Sequence, residues 1–331
     1  MSDEIRTESE REWPARTDGK PGFCFSFVHH TLPEQALCLL GGEQEDIVVV
    51  TPERAVELTG SFDLGYPEVA QAVRIGDWTV LVEVDGFQGT RREVLRSLSE
   101  NGEVYSIFHD GGATGQFSHA VDGELRTCFD QLAPERRWGA EPDALLAAMA
   151  EVGLGESDGT AGVPRPAATA LALVERLTGV VVTEAHTTGH LLTVPFHAPL
   201  PDARPALRPA VLEPHAPEAA ARLKELSRPS SRAELIDLVR GMAEAAGLLD
   251  SEALRAALVQ TASGAAVALD RGSPLYDQVM AWQVDHQRAR RSAEQPGQAD
   301  RLDTQARAAM QARYEVGLAV RDAFAVLNKV R

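Results

Sequence analysis

Cysteine is scarce in this chain. There are three in 331 residues, and Cys24, Cys38 and Cys128 are scattered and odd in number. No C-x-x-C pair is present, which excludes a zinc ribbon or dithiol motif built by local spacing, and one thiol would be left over from any disulfide. The three read as small buried apolar residues in a reducing compartment. Long apolar runs are missing as well: nothing approaches the ~18 consecutive apolar residues of a membrane helix. The opening residues, MSDEIRTESEREWPARTDGK, are polar and acidic with no apolar stretch, so they do not read as a secretory signal. The expectation is a cytoplasmic protein with no membrane partner and a disordered acidic tail over residues 1–21. Catalytic signatures are absent too. No H-E-x-x-H, no G-x-x-x-x-G-K-[ST] and no G-x-S-x-G occurs, and no cofactor is expected.

What the chain does have is acidic charge, unevenly placed. The net charge is -17, and residues 1–150 hold 27 Asp and Glu against 12 Lys and Arg, whereas 151–331 are nearly balanced at 22 against 20. Phosphate contact relies on a basic surface, so direct nucleic-acid binding by the first half is not expected. An acidic face steers basic protein partners instead, although the same charge also serves solubility alone.

Hydrophobic residues make up 44% of the chain, enough for a sizeable core. From Gly22 the alternation of Phe23, Phe25 and Phe27 predicts a strand, Pro33 to Leu40 a helix, Asp46 to Val50 a strand and Pro52 to Leu58 a short helix. Val69–Ile75 and Thr79–Val84 predict a pair of strands joined at Gly76-Asp77. A helix over Arg91–Glu100 precedes strands at Val104–His109, Gln116–Val121 and Glu124–Phe129. Asp122-Gly123 between the last two is the strongest short hairpin signal, because a type I′ turn needs positive φ at both central residues. That turn predicts pairs Val121–Glu124, Ala120–Leu125 and His119–Arg126. Leu125, Thr127 and Phe129 then share the core face with Ala120 and Ser118, and His119, Glu124 and Arg126 lie on a solvated or binding face.

Helices are expected at Pro142–Val152 and Pro166–Leu177, on either side of the flexible Gly155–Pro164, and Val180–Thr183 is expected to close the domain as a strand. Seven prolines between Pro195 and Pro217 predict a stiff linker. Beyond it, Ser230 or Ser231 signals a capped helix, with Glu234 placed to complete a capping box with Ser231, and the helix carries Leu235, Leu238, Val239 and Met242. Asp250 or Ser251 opens a second, Ser273 and Pro274 a third, broken at Pro296-Gly297, and Asp300 a fourth with Leu302, Ala306, Ala309, Val316, Val320, Phe324 and Leu327 in its stripe. The fold class read from this pattern is α+β, a mainly antiparallel sheet with flanking helices over 22–190. A proline-rich linker follows at 191–229 and a small helical bundle at 230–331. The last stripe packs inside the bundle or serves a homo-oligomer through the C-terminal helices.

The segment WTVLVEVDGFQGTRREVLRSLS from Trp78 is followed in order by VYSIF, DGEL, RRWGAEPDAL and ALALVERLTGV. Together they resemble a family of uncharacterised actinobacterial proteins catalogued as a domain of unknown function. The resemblance covers roughly residues 23–183 and implies no reaction, cofactor or site.

Candidate chemistry rests on histidine and arginine. His29-His30 are adjacent on a strand, so they face opposite ways. His186 and His190 have metal-compatible spacing only if helical, and Thr187-Thr188-Gly189 argues against a helix. His109 and Asp110 stand before the glycine-rich loop 111–115, and with His119 they form the catalytic candidate at a sheet end. His119, Glu124, Arg126, Arg136 and Arg137 are the binding candidates, and His286, Arg288, Arg290 and Arg291 form a basic helix face. Three functions follow. The first is a non-enzymatic protein-interaction module, in one version an acidic immunity- or antitoxin-like protein that occludes a basic partner. The others are an enzyme near His109, Asp110 and His119, and a small-molecule-sensing regulator.

Overall fold

A computed structural model of the chain describes residues 22–111, 114–154, 163, 165–201, 209–225, 231–294 and 302–329. The expected tail, Gly112-Ala113 of the glycine loop, nearly all of the flexible stretch 155–164 and Pro296-Gly297 lie outside the described residues. The described residues divide into two compact units, the first reaching Ser61 and running over Pro67–Pro199, the second taking Phe62–Tyr66 and continuing from Leu200.

The first unit is α+β. β1 (Phe23–His29) leads to α1 (Pro33–Leu40), the edge strand β2 (Val48–Val50) and α2 (Pro52–Thr59). Both helices place proline in the first turn, where its missing N–H costs nothing, and Thr51 Oγ1 caps α2 by accepting from the Arg54 N–H at 3.4 Å. β3 (Glu68–Ile75) and β4 (Trp78–Val84) form the expected hairpin, followed by α3 (Arg92–Leu98), β5 (Glu103–His109), β6 (Gly115–Val121), β7 (Glu124–Asp130) and β8 (Ala133–Trp138). α4 (Leu146–Glu151), α5 (Pro166–Thr178), α6 (Glu184–Thr187) and β9 (Leu191–Phe196) complete the unit. The strands form one antiparallel sheet in the order β2-β9-β3-β4-β1-β5-β6-β7-β8.

Both faces of this sheet are covered, which is why its strands carry long buried runs. On one face Phe25, Phe27, Val80, Ile107, Phe117 and Phe129 pack with Met149, Leu171 and Val174 of α4 and α5. On the other, Val28, Leu81, Val104 and Ala120 pack with Leu37 and Leu40 of α1 and Val94 and Leu95 of α3.

Three sequence expectations are corrected. The Asp122-Gly123 turn has both residues at positive φ, and Val121–Glu124 and Ala120–Leu125 pair as expected, but a bulge follows and His119 pairs with Thr127. The extra residue, Arg126, moves everything beyond it to the other face. Thr127 and Phe129 therefore share a face with His119 and Phe117, not with Ala120 and Ser118, and His119 is buried instead of solvated. Second, Val180 and Val182 are buried but form no strand; the closing strand is β9. Third, β9 falls inside the stretch expected to be linker, as do α7 (Pro209–Leu212) and α8 (Pro217–Glu225). Pro195 is tolerated because β2 stops opposite Thr193, so β9 has a strand on one side only at that position.

The second unit is helical: α7 and α8 precede α9 (Arg232–Ala245), α10 (Glu252–Ala262), α11 (Pro274–Glu294) and α12 (Thr304–Leu327). Ser231, Ser251 and Asp303 cap α9, α10 and α12; the last cap stands three residues beyond the expected Asp300. Leu235, Leu238, Val239, Met242, Val316, Val320, Phe324 and Leu327 all lie in one core, so the stripe of α12 is used within the unit from Val316 onward. Gly317 permits the close crossing of α11 and α12, since a Cβ there would stand 2.4 Å from the Trp282 ring. No helix among the described residues is long and apolar enough to cross a membrane.

Candidate functional site

The catalytic candidates His109 and His119 are not brought together. His109 pairs with Gly115 at one end of β5, whereas Tyr105 pairs with His119; four residues of strand put the two histidines roughly 13 Å apart. His109 is buried, its Nδ1 has no hydrogen-bond partner, and desolvation lowers its pKa against the opposing pull of Asp110. Asp110 Oδ1 accepts from the Thr114 N–H at 3.0 Å, closing the loop end. The Thr183 N–H donates to His186 Nδ1 at 3.1 Å, and His190 is exposed beyond α6. Among the described residues no group of three or more His, Cys, Asp or Glu is placed to hold a metal ion.

His119 belongs to a different constellation. Its Nε2 is 2.8 Å from Glu103 Oε1, the Tyr105 hydroxyl donates to the same oxygen at 2.7 Å, and the His119 and Tyr105 rings stack at 4.5 Å. The histidine hydrogen bond is the main reason the Glu103 pKa is lowered, while burial and the neighbouring carboxylate raise that of Tyr105. Trp78 lies 5.8 Å from Tyr105 and stacks on His29 at 4.3 Å, and His29 stacks on His30 at 3.7 Å. This aromatic row runs across β1, β4, β5 and β6.

The arginines of the hairpin region are largely neutralised by its own carboxylates. Arg126 pairs with Glu124 at 3.3 Å and Glu141 at 2.5 Å, and Arg137 with Asp143 at 2.9 Å. Arg136 is exposed on β8. In the second unit Arg288 is committed to Asp285 and to the carbonyls of Phe62 and Asp63.

Sequence reasoning missed Glu83. It is buried, and its carboxylate accepts the backbone N–H groups of Gln88 at 2.5 Å and Gly89 at 2.6 Å. Burial is the main cause raising its pKa to about 7, and the adjacent Cys24 thiol is likewise pushed up by burial. Ser26 and Ser106 join the same polar row at 3.1 Å. The signal was a lone Glu in WTVLVEV; its partners are set by a loop that periodicity does not place.

The two edges of the sheet differ in a way that bears on binding. β8 carries Pro134, exposed Glu135 and Arg136, and an irregular register with β7 at Phe129/Asp130, all features that discourage another strand from pairing. β2 carries none of these. Val48 and Val49 point to opposite faces and are 44% and 58% exposed. Exposed Glu43, Glu45 and Asp46 precede the strand, and Glu53 and Glu57 follow it on α2. The one cation of α2, Arg54, is paired with Glu57 at 2.6 Å.

A family model described as a family of unknown function (DUF6461) matches residues 9–192. No curated protein and no solved structure matches the chain.

Proposed function

We propose that this chain, which belongs to the family of unknown function DUF6461, is a non-enzymatic protein-binding module that adds a basic strand of its partner to the β2 edge. The observation that carries the reading is the contrast between the two edges: one defended, the other apolar and ringed by carboxylates. Strand addition draws affinity from main-chain hydrogen bonds and specificity from alternate side chains. β2 is only three residues long, so the pairing it offers is small, and charge complementarity supplies the selection. An immunity- or antitoxin-like role, covering a basic partner, is the concrete version of this reading. It sets the protein in the cytoplasm of an actinobacterium, where Cys24, Cys38 and Cys128 stay reduced; among the described residues none of the three forms a disulfide.

The test uses a fluorescein-labelled eight-residue peptide alternating Lys and Val, beside one with Glu for Lys and one with a central Pro. The Lys peptide should bind by anisotropy, and the other two should not, because the first reverses the charge and the second breaks the ladder while keeping the charge. Val49→Lys should abolish binding with an unchanged melting temperature. Equal binding by that variant, or by the proline peptide, would overturn the reading.

A further inference from the structure

Away from β2, the first unit holds a cleft of about 510 Å³ lined by His30, Gln35, Cys38, Ser97, Glu100 and Asn101 among others. That volume lies within the range of small-molecule sites, roughly 300–1,000 Å³. The hydrogen-bonding state of its walls is legible. Ser97 Oγ donates its proton to the Leu39 carbonyl at 2.8 Å, and Thr31 Oγ1, also in the lining, donates to the His29 carbonyl at 3.1 Å. The Cys38 thiol points its proton toward Gln44 Oε1 at 3.6 Å. With those protons committed to the protein, Ser97 and Thr31 offer a ligand lone pairs only. Glu100 is exposed, and it is the one Asp, Glu, Lys or Arg in the lining. Arg74, which reaches Thr31 of the lining, is engaged by the carbonyls of Thr31 and Gly76.

One wall is preorganised. His30 holds φ at +52°, a conformation that non-glycine residues seldom adopt, and its ring rests on His29, itself stacked on Trp78. The backbone N–H of His30 is tied to the Asp77 carbonyl at 2.9 Å, which fixes this platform beside the acceptors.

We infer that the cleft binds a small organic cation, an aliphatic amine or guanidine, with Glu100 as its counter-charge and Ser97 and Thr31 as acceptors. Glu100 and the lone pairs of Ser97 and Thr31 favour a donor-rich positive ligand and oppose an anion, while the amide groups of Gln35 and Asn101 can serve either. This goes beyond the proposed strand addition and depends on different residues.

Cys38 gives the test a local reporter, because it lines the cleft while Cys24 and Cys128 are buried. Agmatine is titrated into the full chain by calorimetry, and the rate of Cys38 alkylation by iodoacetamide is followed in parallel. Agmatine should bind and slow the alkylation of Cys38, and acetate at the same concentration should do neither. Glu100→Gln should weaken binding about 2–5-fold, the loss expected for one solvent-exposed ion pair. Glu135→Gln, on β8 and outside the cleft, should leave it unchanged. A short Arg-containing peptide with blocked ends distinguishes a free guanidine from an arginine presented by a protein. Protection by agmatine alone assigns a small-molecule site, and protection by both assigns a site open to either source. No binding by either probe, or binding indifferent to Glu100→Gln, would overturn the inference.

Discussion

Glu83 Oε1 accepts the backbone N–H of Gly89 at 2.6 Å, and through that bond the loop between β4 and α3 is closed onto the sheet. Gly89 has no room for a side chain: a Cβ would stand 2.4 Å from Ser26 Oγ and 2.6 Å from Ser106 Oγ. Gly89→Ala must therefore lift the loop or break the serine pair. The expected cost is about 1–3 kcal/mol, the usual range for overpacking a filled site. Urea unfolding of the variant against wild type measures it, and an unchanged midpoint would show that the loop yields freely.

The same carboxylate makes stability depend on pH. Its pKa in the folded chain is raised to about 7, chiefly by burial, from an ordinary 4.5. The folded state thus holds this proton after the unfolded state has released it, so stability is fully present below about 4.5 and is lost as pH rises through 7. Glu83→Gln cannot titrate, and its amide NH2 would face one of the two backbone N–H groups that both oxygens of the neutral acid can accept, so it is less stable than wild type at pH 5. The gap should narrow by about 2 kcal/mol between pH 5 and pH 8. Denaturant titrations of both proteins at the two pH values decide it; a constant gap would mean that Glu83 is ionised throughout.

Glu103 behaves with the opposite sign. Its pKa is lowered, first by the His119 hydrogen bond, so its contribution is present at neutral pH and is lost as the pH falls through the folded value. Glu103→Gln leaves one weakened acceptor for the His119 imidazole and the Tyr105 hydroxyl. At pH 7 the loss should be about 1–2 kcal/mol, and it should shrink at pH 3. Melting temperatures at the two pH values are sufficient.

Much of the sheet was legible because alternation is local. The phenylalanines of β1, the β3–β4 hairpin and the Asp122-Gly123 turn each declare themselves within ten residues. β8 and β9 were hidden by prolines and arginines, which weaken the strand pattern, and both become strands because a neighbouring strand pairs with them. The bulge at His119/Ala120 was also invisible, since a single inserted residue leaves no mark on composition, yet it decides which face His119 takes. The candidate site suffered most. Ser26 meets Ser106 across 80 residues, and His119 meets Glu103 across 16. Proximity of this kind belongs to the sheet order, which periodicity alone does not give.

The acidic flank of β2 yields a kinetic prediction separate from affinity. Long-range charge acts on the encounter, and short-range pairing acts on the lifetime of the complex. Raising ionic strength from about 0.05 M to about 0.5 M shortens the screening length from ~14 Å to ~4 Å. Association of the Lys–Val peptide, followed by stopped-flow anisotropy, should then slow by ~10-fold or more. Glu45→Gln with Asp46→Asn should reproduce much of that slowing at low salt and leave dissociation nearly unchanged. Both residues are exposed ahead of the strand, whereas the pairing itself falls on Val48–Val50. If the double variant instead speeds dissociation and spares association, the carboxylates touch the bound peptide directly, and steering by the flank is wrong.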